Sequence, residues 1–125
     1  ITERILGAIE NPHVKCIAHP TGRLLNRRQA YDVDLEAVMK AAKRTGTLLE
    51  LNANPARLDL NDVHVAQAKR MGIPIVISTD AHSIDGLDVM RYGIKQARRG
   101  GMTRQDIANT RPWTEMKKLL AKKRK

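Results

Sequence analysis

Aromatic residues are almost missing from this chain: one tryptophan, two tyrosines and no phenylalanine among 125 residues. Platforms that hold single-stranded nucleic acid by base stacking need several aromatic faces, and Tyr31, Tyr92 and Trp113 alone argue against that mode. Cysteine is as scarce. Cys16 stands alone, which excludes an internal disulfide, and its place inside a short apolar run reads as a small buried side chain. Long hydrophobic runs are absent too. Nothing approaches the roughly 18 apolar residues of a membrane span, and no signal-peptide pattern is visible, so the expected location is cytoplasmic with no membrane partner.

Positive charge is plentiful: 23 lysines and arginines against 13 acids give a net charge of +10. Its distribution matters more than its size. Lys117, Lys118, Lys122, Lys123, Arg124 and Lys125 form a basic tail at 117–125 in which these cations are separated only by uncharged residues, while the rest of the chain is mildly basic. Such a tail is either a solvated terminus or a contact for phosphate backbones through counterion release.

Three apolar runs end on polar residues. Residues 14–18 lead into His19-Pro20, residues 46–51 into Asn52-Ala53-Asn54-Pro55, and residues 74–79 into Asp80-Ala81-His82. Residues 34–44 carry Leu35, Val38, Met39 and Ala42 at helical spacing, and residues 62–71 repeat the pattern with Val63, Ala66 and Ala68. The succession is β-α-β-α-β-α. Units of this kind build parallel sheets whose ligands gather beyond the carboxyl ends of the strands, so His19, Asn52, Asp80 and His82 are expected on one rim. Side chains alternate faces along a strand, so Asp80 and His82 are expected to project to one side, as a metal-ligand pair requires. The alternative is a helix N-cap by Asp80 or Ser83, with His82 simply exposed.

The length suits one domain, yet a full (β/α)₈ barrel needs about 200 residues or more. Only three strands are visible, and residues 1–9 resemble a helix entered partway. The chain is therefore expected to be the C-terminal portion of a larger domain.

The loop after His19 carries Arg23, Arg27 and Arg28, and that after Asn52 carries Arg57 and Asp59. The planar guanidinium fork suits phosphate oxygens, which makes the four arginines candidates for gripping a substrate. His64 reads as an exposed first-turn helix residue or a rim residue. Glu50 either orients a ligand or pairs with a basic group, and His13 falls on the opposite rim.

Four ordered blocks carry a resemblance: Cys16-Ile17-Ala18-His19-Pro20-Thr21-Gly22-Arg23; Leu49-Glu50-Leu51-Asn52-Ala53 with Arg57-Leu58-Asp59-Leu60; Ser78-Thr79-Asp80-Ala81-His82-Ser83; and Met90-Arg91-Tyr92-Gly93. Together they resemble the PHP (polymerase and histidinol phosphatase) domain of bacterial and archaeal family X DNA polymerases. The resemblance implies the last three or so βα units of a distorted (β/α)₇ barrel with a cluster of divalent metals at its rim. It assigns His19, Asp80 and His82 as catalytic metal ligands. It also implies 3′-5′ exonuclease and 3′-end processing of DNA, with the remainder of a polymerase chain as partner. The family's opening His-x-His motif, its middle glutamate and its other early histidines have no counterpart here, so this chain alone is expected to be inactive and prone to self-association. Histidine with carboxylate suits Zn²⁺ or Mn²⁺ better than Mg²⁺. A stand-alone phosphatase of the histidinol phosphate type is the alternative enzyme, and a non-catalytic scaffold or DNA-holding segment the alternative outside catalysis.

Overall fold

The computed structural model describes residues 1–121. Five helices, α1 (Thr2–Glu10), α2 (Leu35–Thr45), α3 (Asp62–Met71), α4 (Met90–Arg99) and α5 (Trp113–Leu120), alternate with or follow three strands, β1 (Cys16–Ile17), β2 (Leu48–Asn52) and β3 (Ile75–Ser78). The strands are parallel in the order β1-β2-β3, with Ile17 opposite Leu49 and Leu49, Glu50, Leu51 and Asn52 opposite Ile75, Val76, Ile77 and Ser78. The expected β-α-β-α-β-α succession is present. Among the described residues it forms an open three-stranded sheet, in which no barrel closes. No described helix is long and apolar enough to cross a membrane.

Local chemistry explains the helix ends. Asp34 caps α2 by accepting from the Ala37 amide at 3.1 Å, and Asn61 caps α3 by accepting from His64 at 2.9 Å. Both helices stop at a glycine in left-handed conformation, Gly46 at φ 74° and Gly72 at φ 73°, which sends the chain directly into the next strand.

Residues opposite each other in a parallel pair share a face, so Leu49, Leu51, Ile75 and Ile77 lie on one side and Glu50, Asn52, Val76 and Ser78 on the other. The first side packs against the helices, where Val38, Met39, Val65 and Ala68 complete a core with no exposed surface beyond traces. Each large aliphatic side chain removed from water there contributes about 1.5–3 kcal/mol. Gly93 lets α4 lie directly on the sheet: a Cβ there would stand 2.6 Å from Ile77 and 2.7 Å from Ala53. The outer edge of β3 is covered, since Ile107 bridges Ile75 and the Asn109 amide accepts from the Ile77 N–H at 3.1 Å and donates to its carbonyl at 2.8 Å. The edge strand β1 is only two residues long, and Cys16 is half-buried rather than fully enclosed. Within the basic tail, Lys117 and Lys118 lie exposed on α5, whereas Lys122, Lys123, Arg124 and Lys125 lie outside the described residues.

Candidate functional site

Asn52 ends β2, His19 and Asp80 lie two residues past the carboxyl ends of β1 and β3, and Glu50 stands two residues before Asn52 on the same face. Two of the three sequence-predicted ligands hold unusual backbone. His19 has φ 29° and Asp80 φ 56°, in the positive region that side chains rarely adopt. Each such residue costs on the order of 1–3 kcal/mol and persists where its surroundings over-determine it.

The surroundings of Asp80 are visible. The buried Asn52 donates to Asp80 Oδ2 at 3.3 Å and fixes its own orientation by accepting from the Asn54 amide at 3.0 Å. Arg57 Nε stands 4.0 Å from the same carboxylate oxygen. The left-handed turn at Asp80 corrects the expectation that alternation along the strand aligns positions 80 and 82. β3 ends at Ser78, and His82 is instead placed by a hydrogen bond between its Nδ1 and the Asp80 carbonyl at 2.7 Å. A carbonyl only accepts, so Nδ1 carries the proton and, in the neutral ring, Nε2 is left with the lone pair a metal takes. The helix-cap alternative holds in part: Asp80 caps nothing, but Ser83 Oγ accepts from the Gly86 amide at 3.2 Å at the start of the turn Asp85–Val89, and His82 is exposed.

Glu50, which the sequence left open, lies at the centre of the arrangement. It is 8% exposed, and its Oε1 is buried with no hydrogen-bond partner. Burial pushes its carboxyl above the usual range, a nearby Asp80 charge adds to this, and His19 and the Asn52 side chain oppose it. Burial likewise raises the half-buried Cys16 thiol to about 12, with Glu50 adding to the shift, which disfavours its thiolate.

The four arginines separate into different roles. Arg23 donates to the carbonyls of Arg57 at 2.8 Å and Leu58 at 2.5 Å, and Arg57 returns a bond to the Arg23 carbonyl at 3.3 Å, so this pair locks two rim loops together. Arg57 alone reaches the Asp80 side. Arg28 donates to the Gly22 carbonyl at 3.1 Å and lies over the Tyr31 ring, and Arg27 is exposed on the same loop. Gly22 cannot be replaced there, since a Cβ would overlap the Tyr31 ring at 2.0 Å.

Asp59 had no assigned role from sequence, yet it is fully buried and its carboxylate accepts from the Thr21 and Gly22 amides at 3.0 and 2.8 Å. His64 is half-buried rather than exposed. Among the described residues, no three histidine, cysteine or acidic side chains are gathered so as to hold a metal ion. His19, Asp80 and His82 thus share a rim without forming a closed ligand set.

Over 120 residues, 96% of its length, the chain is 44% identical to the DNA polymerase/3′-5′ exonuclease PolX of Bacillus subtilis. It is 33% identical over 99% of its length to a probable phosphatase of Thermoanaerobacter sp., and 31% identical over 76% to one of Caldicellulosiruptor saccharolyticus. It spans 21% of the polymerase and about half, 51%, of the Thermoanaerobacter protein. No protein-family model matches it. The chain is a relative of phosphoesterase-type proteins, and the likeness to a family X DNA polymerase read from its four blocks is borne out.

Proposed function

We propose that this chain is the later part of a PHP-type metal-dependent phosphoesterase that processes DNA 3′ ends within a family X polymerase. The observation that carries the reading is the rim itself: a buried glutamate with an unpaired oxygen, flanked by His19 and Asp80 on strained backbone. An unpaired buried carboxylate oxygen costs free energy unless a cation or donor meets it, and a mixed nitrogen and oxygen donor set suits Zn²⁺ or Mn²⁺.

His19, Asp80 and His82 would hold the metal together with donors from parts of the parent chain outside this sequence. A metal held there would supply polarisation of a phosphoryl group and a bound hydroxide near neutral pH. Asn52 holds the Asp80 carboxylate in place. The Asp80 carbonyl sets the tautomer of His82. Arg57, beside Asp80, is the arginine best placed to meet a substrate phosphate, while Arg27 and Arg28 face the approach. The sheet is one arc of the barrel, the exposed edge of β1 pairs with a strand of the parent or with a second copy, and the tail at 117–125 attracts DNA. A cytoplasmic location fits this role.

A second reading, hydrolysis of a small phosphate monoester, is favoured by the relatives named probable phosphatases. In the longer polymerase carrying this sequence, with Mn²⁺ added, Asp80→Asn is expected to lower 3′-end processing at least about 100-fold while nucleotide addition survives. The chain alone is expected to bind the metal weakly and to cleave no DNA. Loss of turnover on histidinol phosphate with DNA ends never processed would favour the second reading, and processing that persists in Asp80→Asn and His82→Ala would overturn the metal site.

A further inference from the structure

The loop joining β1 to α2 roofs a second cavity, whose lining includes none of His19, Glu50, Asp80 and His82. It measures about 490 Å³ and is lined by Thr21, Leu24, Arg27 and Arg28 from the loop and by Asn61 and His64 from the start of α3, with other loop residues completing it. That is the size of an ordinary small-ligand site, which runs from about 300 to 1,000 Å³.

Two of its lining residues carry buried polar atoms without partners, Thr21 Oγ1 and His64 Nδ1. Thr21 is 4% exposed. Its backbone is held by Asp59 while its hydroxyl oxygen is buried without a partner, so the residue is anchored with an unmet hydrogen-bonding group. A buried group in this state costs about 1–3 kcal/mol until something pairs with it. Two such atoms on one cavity wall are the donors and acceptors a ligand edge would meet.

The lining combines apolar wall, uncharged polar groups and arginines. Leu24, Leu25 and Ala30 supply apolar wall, and Thr21 is an uncharged hydrogen-bonding group. Burial holds the His64 imidazole below its usual value, with the Arg23 charge adding to the effect and Asp59 and Asp62 opposing it. Arg23 donates to the Arg57 and Leu58 carbonyls. Arg27 and Arg28, by contrast, stand exposed at the surface of the same loop. Arg23 also lines the cavity and keeps its charge in those bonds, so an anion is drawn to the arginine side while Thr21 and the aliphatic wall add nothing for a bare phosphate. A ligand with a flat, uncharged, hydrogen-bonding end and an anionic end matches both zones.

We infer that this cavity is a nucleotide subsite: the heterocyclic base of a nucleoside monophosphate unit enters between Thr21 and His64, and its phosphate rests on Arg27 and Arg28. The unit comes from a free mononucleotide or from the terminus of a DNA strand. Only the choice of DNA as source rests on the reading under Proposed function. The subsite needs no stacking platform, because polar edges and aliphatic walls hold the base.

The test is equilibrium binding to the full chain in chelator, so that no metal contributes, with thymidine and deoxyadenosine 5′-monophosphate, inorganic phosphate and a short single-stranded oligonucleotide as probes. At least one mononucleotide is expected to bind about tenfold or more tightly than phosphate. Thr21→Val, nearly isosteric, is expected to weaken the mononucleotide roughly tenfold and leave phosphate unchanged, whereas Arg27→Ala weakens both. Arg27 is exposed, so that variant reports even if Thr21→Val disturbs the loop. Oligonucleotide binding that competes with mononucleotide supports DNA as the source. Mononucleotide binding without it supports the subsite and counts against the DNA-end reading. Phosphate binding as tightly as both mononucleotides, or an unchanged mononucleotide affinity in Thr21→Val, overturns the subsite.

Discussion

The two ends of the sheet solve the same backbone problem in opposite ways. At the amino ends of β2 and β3, the chain reverses through Gly46 and Gly72, which take left-handed φ without a steric penalty. At the carboxyl ends, His19, Leu58 and Asp80 take positive φ while carrying side chains. The amino end is further closed by the buried Thr45 and Thr47 hydroxyls, 2.7 Å apart, and has no unpaired polar atom of the kind left at Glu50, Thr21 and His64. One end is optimised for stability and the other tolerates strain and unmet hydrogen bonds, which is how parallel α/β folds divide scaffold from site.

Substitutions can break or sharpen that contrast. The largest effect on stability is expected from Asp59→Asn, which replaces an acceptor for the Thr21 and Gly22 amides by a group that is half donor. It should cost about 2 kcal/mol in urea unfolding and loosen the β1–α2 loop in hydrogen exchange. A loss below about 0.5 kcal/mol would mean that the carboxyl-end loops do not depend on this carboxylate.

A pair of opposite glycine changes comes next. Gly72→Ala introduces a side chain at φ 73° and is expected to destabilise by about 1 kcal/mol. His19→Gly removes an exposed side chain from φ 29° and is expected to stabilise by up to about 1 kcal/mol while weakening metal binding. If both destabilise equally, the two ends are not different in kind.

The smallest effect concerns Asp106, far from the rim. The Thr103 amide holds its carboxyl below the usual range, with burial opposing and Lys69 assisting. Its folded value is depressed, so the stability it contributes is present above the ordinary carboxylate range and lost as pH falls through the folded value. Asp106→Asn should flatten the acid limb of the stability profile slightly and leave the rim unchanged.

Much of this was legible in the residues. The helix at 62–71 has the expected bounds but not the expected face, since Val63 is exposed and Val65 joins Ala68 in the core, and α2 lies one residue later at each end, with Asp34 capping rather than joining it. The rim positions of His19, Asn52 and Asp80 followed from where apolar runs met polar residues. The relation of His82 to Asp80 did not, because pleat alternation applies only to extended backbone and β3 stops two residues short of Asp80. Nor did the role of Asp59, since an acid between Leu58 and Leu60 carries no sign of the distant Thr21 and Gly22 amides it accepts from.

The sequence by itself determined the order of elements, the parallel direction of the strands and the chemistry available at their ends, since these depend on local periodicity, caps and side-chain type. Only the tertiary structure decided that Glu50 is left with a buried unpaired oxygen, that Arg23 is spent on Arg57 and Leu58, and that Thr21 and His64 share a cavity. These are facts of distance between residues far apart in the chain. They depend on which loops the core brings together, and a local pattern carries no record of that.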